Sequence, residues 1–271
     1  MKKHSFYILL SFITLFYFAC EDSEIVDVNL SYKEYVVVRG ELFADSIFSG
    51  ATFTKTLPMN VVFDIKKAEL KNVFAYLRVN GIQIIPLHYF ENGTYKPLYD
   101  MRILAGNSYE LFAEVNGRSI YASTIIPAIP QVQNSAFHGN EYADVFLESR
   151  RNECYGSVFY IISSSNNYLA KSSDFHSIAE APNSDFNDII LSRTQLIPNE
   201  FRTELFRSIT YIQTYAMDMP YAAYFRTKGN NQPITNSFIQ GGDPISWNVR
   251  GKDVIGLFIG MNKSAIIPVS Q

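Results

Sequence analysis

Few residues in this chain have the type and spacing to do chemistry, and most of those stand alone. His138, Glu141 and Asp144 put one imidazole near two carboxylates. Those are metal-ligand types, but no second histidine sits at the helical or hairpin spacing that would complete a zinc set. A solvated linker face is the competing reading of that stretch. His88 and His176 are isolated and read as strand or loop residues. Asp185 with Asp188, or Asp218 with Asp243, could act as a glycosidase pair only if the fold held two carboxyls at a defined separation across a cleft. No Gly-rich phosphate loop, nucleophile elbow or paired-histidine signature occurs. Cys154 has no recognisable activating base in the sequence, so it reads as a buried, inert thiol. The last candidate is aromatic: Tyr211, Tyr215, Tyr221, Tyr224 and Phe225, with Trp247 further on. Tyr and Trp offer large contact area with little rotamer loss. Tyr221, Tyr224 and Trp247 are therefore the expected ligand-binding residues, forming a stacking platform for sugars or peptides. In a chain with 18 Tyr and 21 Phe, core packing is the rival explanation of the same residues. The expectation is a protein without catalytic residues, metal or cofactor.

The elements that must position these residues are strands. Tyr35 to Leu42 (YVVVRGEL) is a β-branched run, and Ala51 to Leu57 follows after Ser49-Gly50. Asn80-Gly81, Asn92-Gly93 and Asn116-Gly117 each sit between apolar or alternating segments, and Asn-Gly accepts the positive φ at both central positions that a type I′ hairpin requires. Tyr109, Leu111, Ala113 and Val115 alternate with Glu110, Phe112 and Glu114, the period of a half-buried strand. The spacing predicts an antiparallel sandwich, transthyretin-like or immunoglobulin-like, over residues 31–126. Pro127 and Pro130 make 127–131 an extended linker. Residues 132–271 are then expected to form a second, mainly β domain, with strands at Tyr155 to Ser163, Ile189 to Leu191, Ser208 to Met217, Val254 to Gly260 and Ser264 to Val269. A turn-rich tip lies at Ser163 to Asn167. A short helix is expected at Pro220 to Lys228, where proline suits the first turn and Gly229 can close the end; Pro198 to Phe206 is a weaker helical segment.

The first residues carry an address. Lys2 and Lys3 precede an apolar run from Phe6 to Ala19, which ends at Cys20 and is followed by Glu21-Asp22-Ser23-Glu24. The run is shorter than the ~20 residues a spanning helix needs, as in a cleaved signal. The small residue before Cys20 resembles a lipobox, which implies a signal peptide at 1–19, acylation of Cys20 and an acidic tether over 20–30. With Cys20 acylated, Cys154 has no intramolecular partner. The net charge of −3 and the absence of a Lys/Arg cluster argue against a nucleic-acid surface. Asp45-Ser46-Ile47 matches an Asp-Ser/Thr-aliphatic glycosylation pattern.

Taken together, the lipobox, YVVVRGEL, the stretch Leu104-Ala105-Gly106-Asn107-Ser108-Tyr109-Glu110-Leu111, Tyr121-Ala122-Ser123-Thr124 and the proline-punctuated linker resemble the Domain of Unknown Function 4249 family of Bacteroidota lipoproteins. The closing stretch is similar too: Asp243-Pro244-Ile245-Ser246-Trp247-Asn248-Val249, then Gly256-Leu257-Phe258. Gly251-Lys252-Asp253-Val254 replaces the small-residue approach usual in that family. The resemblance implies a non-enzymatic outer-membrane lipoprotein that faces the cell exterior as a binding or accessory subunit of a TonB-dependent β-barrel transporter. A surface hydrolase acting on glycans or peptides, and a structural or adhesive surface protein, are the alternatives.

Overall fold

The computed structural model describes residues 32–58, 60–139, 141–163, 168–182, 188–198, 208–228 and 244–269. Residues Glu34–Gln271 cluster as one unit. The fold is all-β with a short helical insertion, as the residue pattern implied.

The first seven strands are β1 (Val36–Phe43), β2 (Ala51–Lys55), β3 (Phe74–Val79), β4 (Gln83–Glu91), β5 (Thr94–Lys96), β6 (Ser108–Val115) and β7 (Arg118–Ile125). All three Asn-Gly pairs close hairpins here, with φ of 50° and 71° at Asn80-Gly81, 51° and 76° at Asn92-Gly93, and 50° and 71° at Asn116-Gly117. The β6 alternation holds: Tyr109, Leu111, Ala113 and Val115 are buried, while Glu110, Phe112 and Glu114 face outward. Between β2 and β3 lies a one-turn helix, α1 (Ile65–Ala68), capped by Asp64, whose carboxylate accepts from the Lys66 N–H at 2.9 Å. At four residues this helix is too short to show a hydrophobic period in the sequence.

The remaining strands are β8 (Gln131–His138), β9 (Tyr142–Glu148), β10 (Glu153–Ser163), β11 (Tyr168–Lys171), β12 (Ala179–Glu180), β13 (Ile189–Arg193), β14 (Ser208–Asp218), β15 (Val254–Lys263) and β16 (Ile267–Pro268), with helix α2 (Pro220–Thr227) after β14. One sheet runs β11-β10-β14-β15-β1-β2-β5-β4-β3-β6-β7, and a second runs β13-β9-β8. His138 and Asp144, read from sequence as part of a linker face, instead lie on the paired strands β8 and β9. Ala143, Val145 and Leu147 on β9 pack against Tyr155, Ile212 and Ala216.

The long sheet passes through the 127–131 segment's two flanks without a break, because β15 lies parallel to β1 over its whole length, Val36 opposite Val254 through Phe43 opposite Met261. Two local features make that pairing close. Gly40 faces Phe258, whose ring lies where a Cβ on residue 40 would be, 2.5 Å away. Gly256, at φ 149°, lies so near β1 that a Cβ there would meet the Val38 carbonyl oxygen at 2.0 Å. Phe258, Val254 and Val249 thereby join Val38, Leu42, Phe53, Leu77 and Leu111 in the core of the first sandwich. That sandwich closes where Arg250 and Tyr121 exchange backbone hydrogen bonds at 2.7 and 2.9 Å.

Candidate functional site

Strand period two divides β1 and β15 between two surroundings. Val36, Val38, Gly40 and Leu42 face the first core, so Val37, Arg39 and Glu41 face the other side; on β15, Leu257, Ile259 and Met261 do the same. Helix α2 sits over this second face. Pro220 occupies its first turn, where a missing N–H costs nothing. Ala222 is its inward residue and packs with Cys154, Met217, Ile259 and Met261. With Ala222 inward, the helical period puts Tyr221, Tyr224 and Lys228 along one flank.

Opposite that flank is Trp247, fixed through both neighbours. The Ser246 N–H donates to Thr227 Oγ1 at 2.8 Å, tying the segment to the end of α2. The Asn248 side chain behaves like a strand residue: its Nδ2 donates to the Phe258 carbonyl at 2.6 Å and its Oδ1 accepts from the Phe258 N–H at 2.8 Å. The Trp247 and Tyr224 rings lie 5.6 Å apart at 36°, and Tyr224 lies 5.9 Å from Tyr221. The three rings border one cleft of about 400 Å³, floored by Val37, Arg39, Glu41 and Leu257. The three expected binding residues thus meet in one place. Of the other aromatics named with them, Tyr215 packs against Phe175 beneath the helix, Phe225 contacts Tyr221, and Tyr211 lies opposite Tyr160 in the β10–β14 ladder.

The charged lining was not anticipated. Lys228 Nζ is 2.5 Å from Asp174 Oδ2 and 4.2 Å from the Phe225 ring centre, so it is already neutralised. Arg39 and Glu41 are exposed, and neither side chain bonds another described residue. Burial raises the Tyr221 phenol far above its ordinary range, with smaller contributions from Asp174, Tyr224 and Glu41, so it stays a neutral hydroxyl. The signal that could have found Arg39 and Glu41 is their alternation with Val36, Val38 and Gly40 inside YVVVRGEL.

No family model matches the chain, and no curated protein matches it either.

The other candidates are placed as follows. Asp144 is held by Arg193 through two bonds of 2.6 and 3.1 Å, and His138 Nδ1 stands 3.4 Å from it. His88 lies on β4, and the His176 ring lies 5.6 Å from Tyr142. Cys154 is buried, and burial pushes its thiol up to about 12. Asp45-Ser46-Ile47 is an exposed turn after β1. Cys20, Asp185, Asp243, Gly229 and most of Pro198 to Phe206 and Ser163 to Asn167 lie outside the described residues. Among the described residues no helix is long and apolar enough to cross a membrane.

Asp218 has a different neighbourhood from the one considered for it. It stands opposite Glu153 across β10 and β14. Its Oδ2 accepts from Thr124 Oγ1 at 2.8 Å and from the Ile125 N–H at 3.2 Å, while Glu153 accepts from the Tyr155 hydroxyl at 2.6 Å and the Ala128 N–H at 3.3 Å. Burial raises both carboxyls. The pair clasps the end of β7 and the proline segment to the central strands. Asp218 also borders a second cleft of about 530 Å³ with Glu110, whose carboxylate the Arg78 guanidinium holds below its usual range through bonds of 2.7 Å.

Proposed function

We propose that this chain is an outer-membrane lipoprotein, anchored by acylation of Cys20 and facing the cell exterior, that binds a ligand without chemical conversion and serves a TonB-dependent β-barrel transporter as a binding or accessory subunit. The binding part is carried by one observation: Tyr221, Tyr224 and Trp247 share a cleft whose floor carries two charges that no described residue pairs. Its volume falls in the range of small-molecule sites, roughly 300–1,000 Å³, where apolar walls and a few polar groups divide affinity from orientation. The anchor and partner rest on the lipobox and on the family resemblance. Asn248 and Gly256-Leu257-Phe258, two parts of that resemblance, are the residues that fix the cleft's Trp247 and its floor.

Mild-detergent purification from native outer membranes tests the accessory role. A β-barrel receptor is expected to co-purify with the wild-type chain, and Cys20→Ser is expected to leave the protein uncleaved or soluble. A wild-type preparation without any such receptor removes the accessory role, and normal membrane fractionation of Cys20→Ser removes the anchor.

A surface hydrolase acting on glycans or peptides is the reading that the second cleft favours, because Asp218 and Glu110 are carboxyls displaced in opposite directions. Both are, however, engaged in fixed bonds to their own fold. Turnover of a glycan or peptide substrate that disappears in Asp218→Asn would establish this alternative in place of the binding role.

A further inference from the structure

Resting on the binding reading above, we propose that the aromatic cleft takes the free ends of a short peptide, a zwitterion of about two residues, with its carboxylate on Arg39 and its ammonium on Glu41. Arg39 and Glu41 are two apart on β1, so they point to the same side with Cα atoms roughly 6.8 Å apart. An extended peptide advances ~3.3–3.6 Å per residue, so two residues separate opposite terminal charges by about the same length. A guanidinium suits a carboxylate through paired N–H donors, and a carboxylate accepts from an ammonium. The apolar side chains of such a ligand would lie against Tyr221, Tyr224 and Trp247, which offer face and edge contacts.

The charges also discriminate against uncharged ligands. A neutral sugar seated on the rings offers hydroxyls to Arg39 and Glu41 but gives neither a counter-ion. A zwitterion neutralises both at once. Lys228 does not compete for the ligand's carboxylate, because Asp174 already holds it.

Trp247 is the single tryptophan of the chain, so its emission reports on this cleft alone. The experiment titrates the full-length protein in detergent with phenylalanyl-leucine, its N-acetylated form, its C-terminal amide and a mixture of neutral oligosaccharides, reading that emission. The free dipeptide is expected to give a saturable change, with each capped form at least about tenfold weaker. Arg39→Met should erase the preference for a free carboxylate, and Glu41→Gln the preference for a free amine; both positions are exposed, so unchanged melting verifies the fold. Equal binding of free and capped peptides overturns the charge assignment. A response to oligosaccharides with dipeptides silent overturns the peptide while leaving the cleft a binding site. Silence from both classes removes the binding reading itself.

Discussion

Replacing Asn248 by alanine tests how the cleft is assembled. The Asn248 amide supplies both a donor and an acceptor to the Phe258 backbone, where β14 does not pair with β15. Phe258 is fully buried while Asn248 is half-buried, so water can take the amide's place only in part. Truncation leaves one buried N–H and one buried carbonyl without partners, at ~1–3 kcal/mol each, and partial relaxation brings the expected loss to about 2–4 kcal/mol. For a chain of this size that corresponds to a fall of roughly 5–15 °C in the melting temperature. Chemical denaturation followed by circular dichroism measures the stability, and Trp247 emission from the same samples reports whether the ring has left Tyr224. Asn248→Asp supplies a distinguishing control. An ionised carboxylate accepts from the Phe258 N–H but cannot donate to its carbonyl, whereas the protonated acid can, so this variant should regain stability on acidification relative to Asn248→Ala. A loss below about 0.5 kcal/mol, the size of an ordinary surface substitution, together with unshifted emission, would refute the reasoning that this side chain holds the cleft together.

Three further outcomes are expected. Gly256→Ala should cost about 3 kcal/mol or more, because its Cβ meets the Val38 carbonyl at 2.0 Å, whereas Gly81→Ala, with nothing within 4 Å, should cost only ~1–2 kcal/mol of backbone strain; equal melting temperatures contradict this. Cys154, with its thiol pushed up to about 12, should react with iodoacetamide at pH 8 about a thousandfold more slowly in the folded chain than in denaturant, and comparable rates would contradict its burial. Glu153 and Asp218 have folded-state values above their ordinary 4.5 and 3.8, so the folded state binds more protons in that interval. Their contribution is complete below the ordinary values and is lost as pH rises through the raised ones, so stability should increase as pH falls from neutrality toward the ordinary carboxylate range. Glu153→Gln with Asp218→Asn should flatten that rise; an unchanged profile would mean that other groups produce it.

Much of the local structure was readable because it depends on neighbours in sequence. The three Asn-Gly turns follow from which residues accept positive φ, the β6 alternation from the two-residue strand period, and α2 from a proline that suits only a first helical turn. The parallel pairing of β1 with β15 was not readable, since its partners lie some two hundred positions apart and leave no periodic trace. Its physical marks, Gly40 opposite Phe258 and Gly256 against Val38, gain meaning only once the strands are adjacent. The β8–β9 hairpin was hidden by the polar residues of β8, Gln131, Gln133 and Asn134, and α1 is too short to show a period. At the cleft, Tyr221, Tyr224 and Trp247 stood out by residue type. Arg39 and Glu41 were embedded in a run read for its β-branched residues, and their lack of a partner among the described residues is a property of the packed surface alone.

Acrylamide quenching of the lone tryptophan tests most directly whether the cleft is a ligand site. A peptide digest added at saturating concentration is predicted to shield Trp247, lowering the quenching slope in the wild-type chain and leaving it unaltered in Tyr224→Ala. A slope that stays the same with peptide digests and with oligosaccharide digests alike would contradict the account.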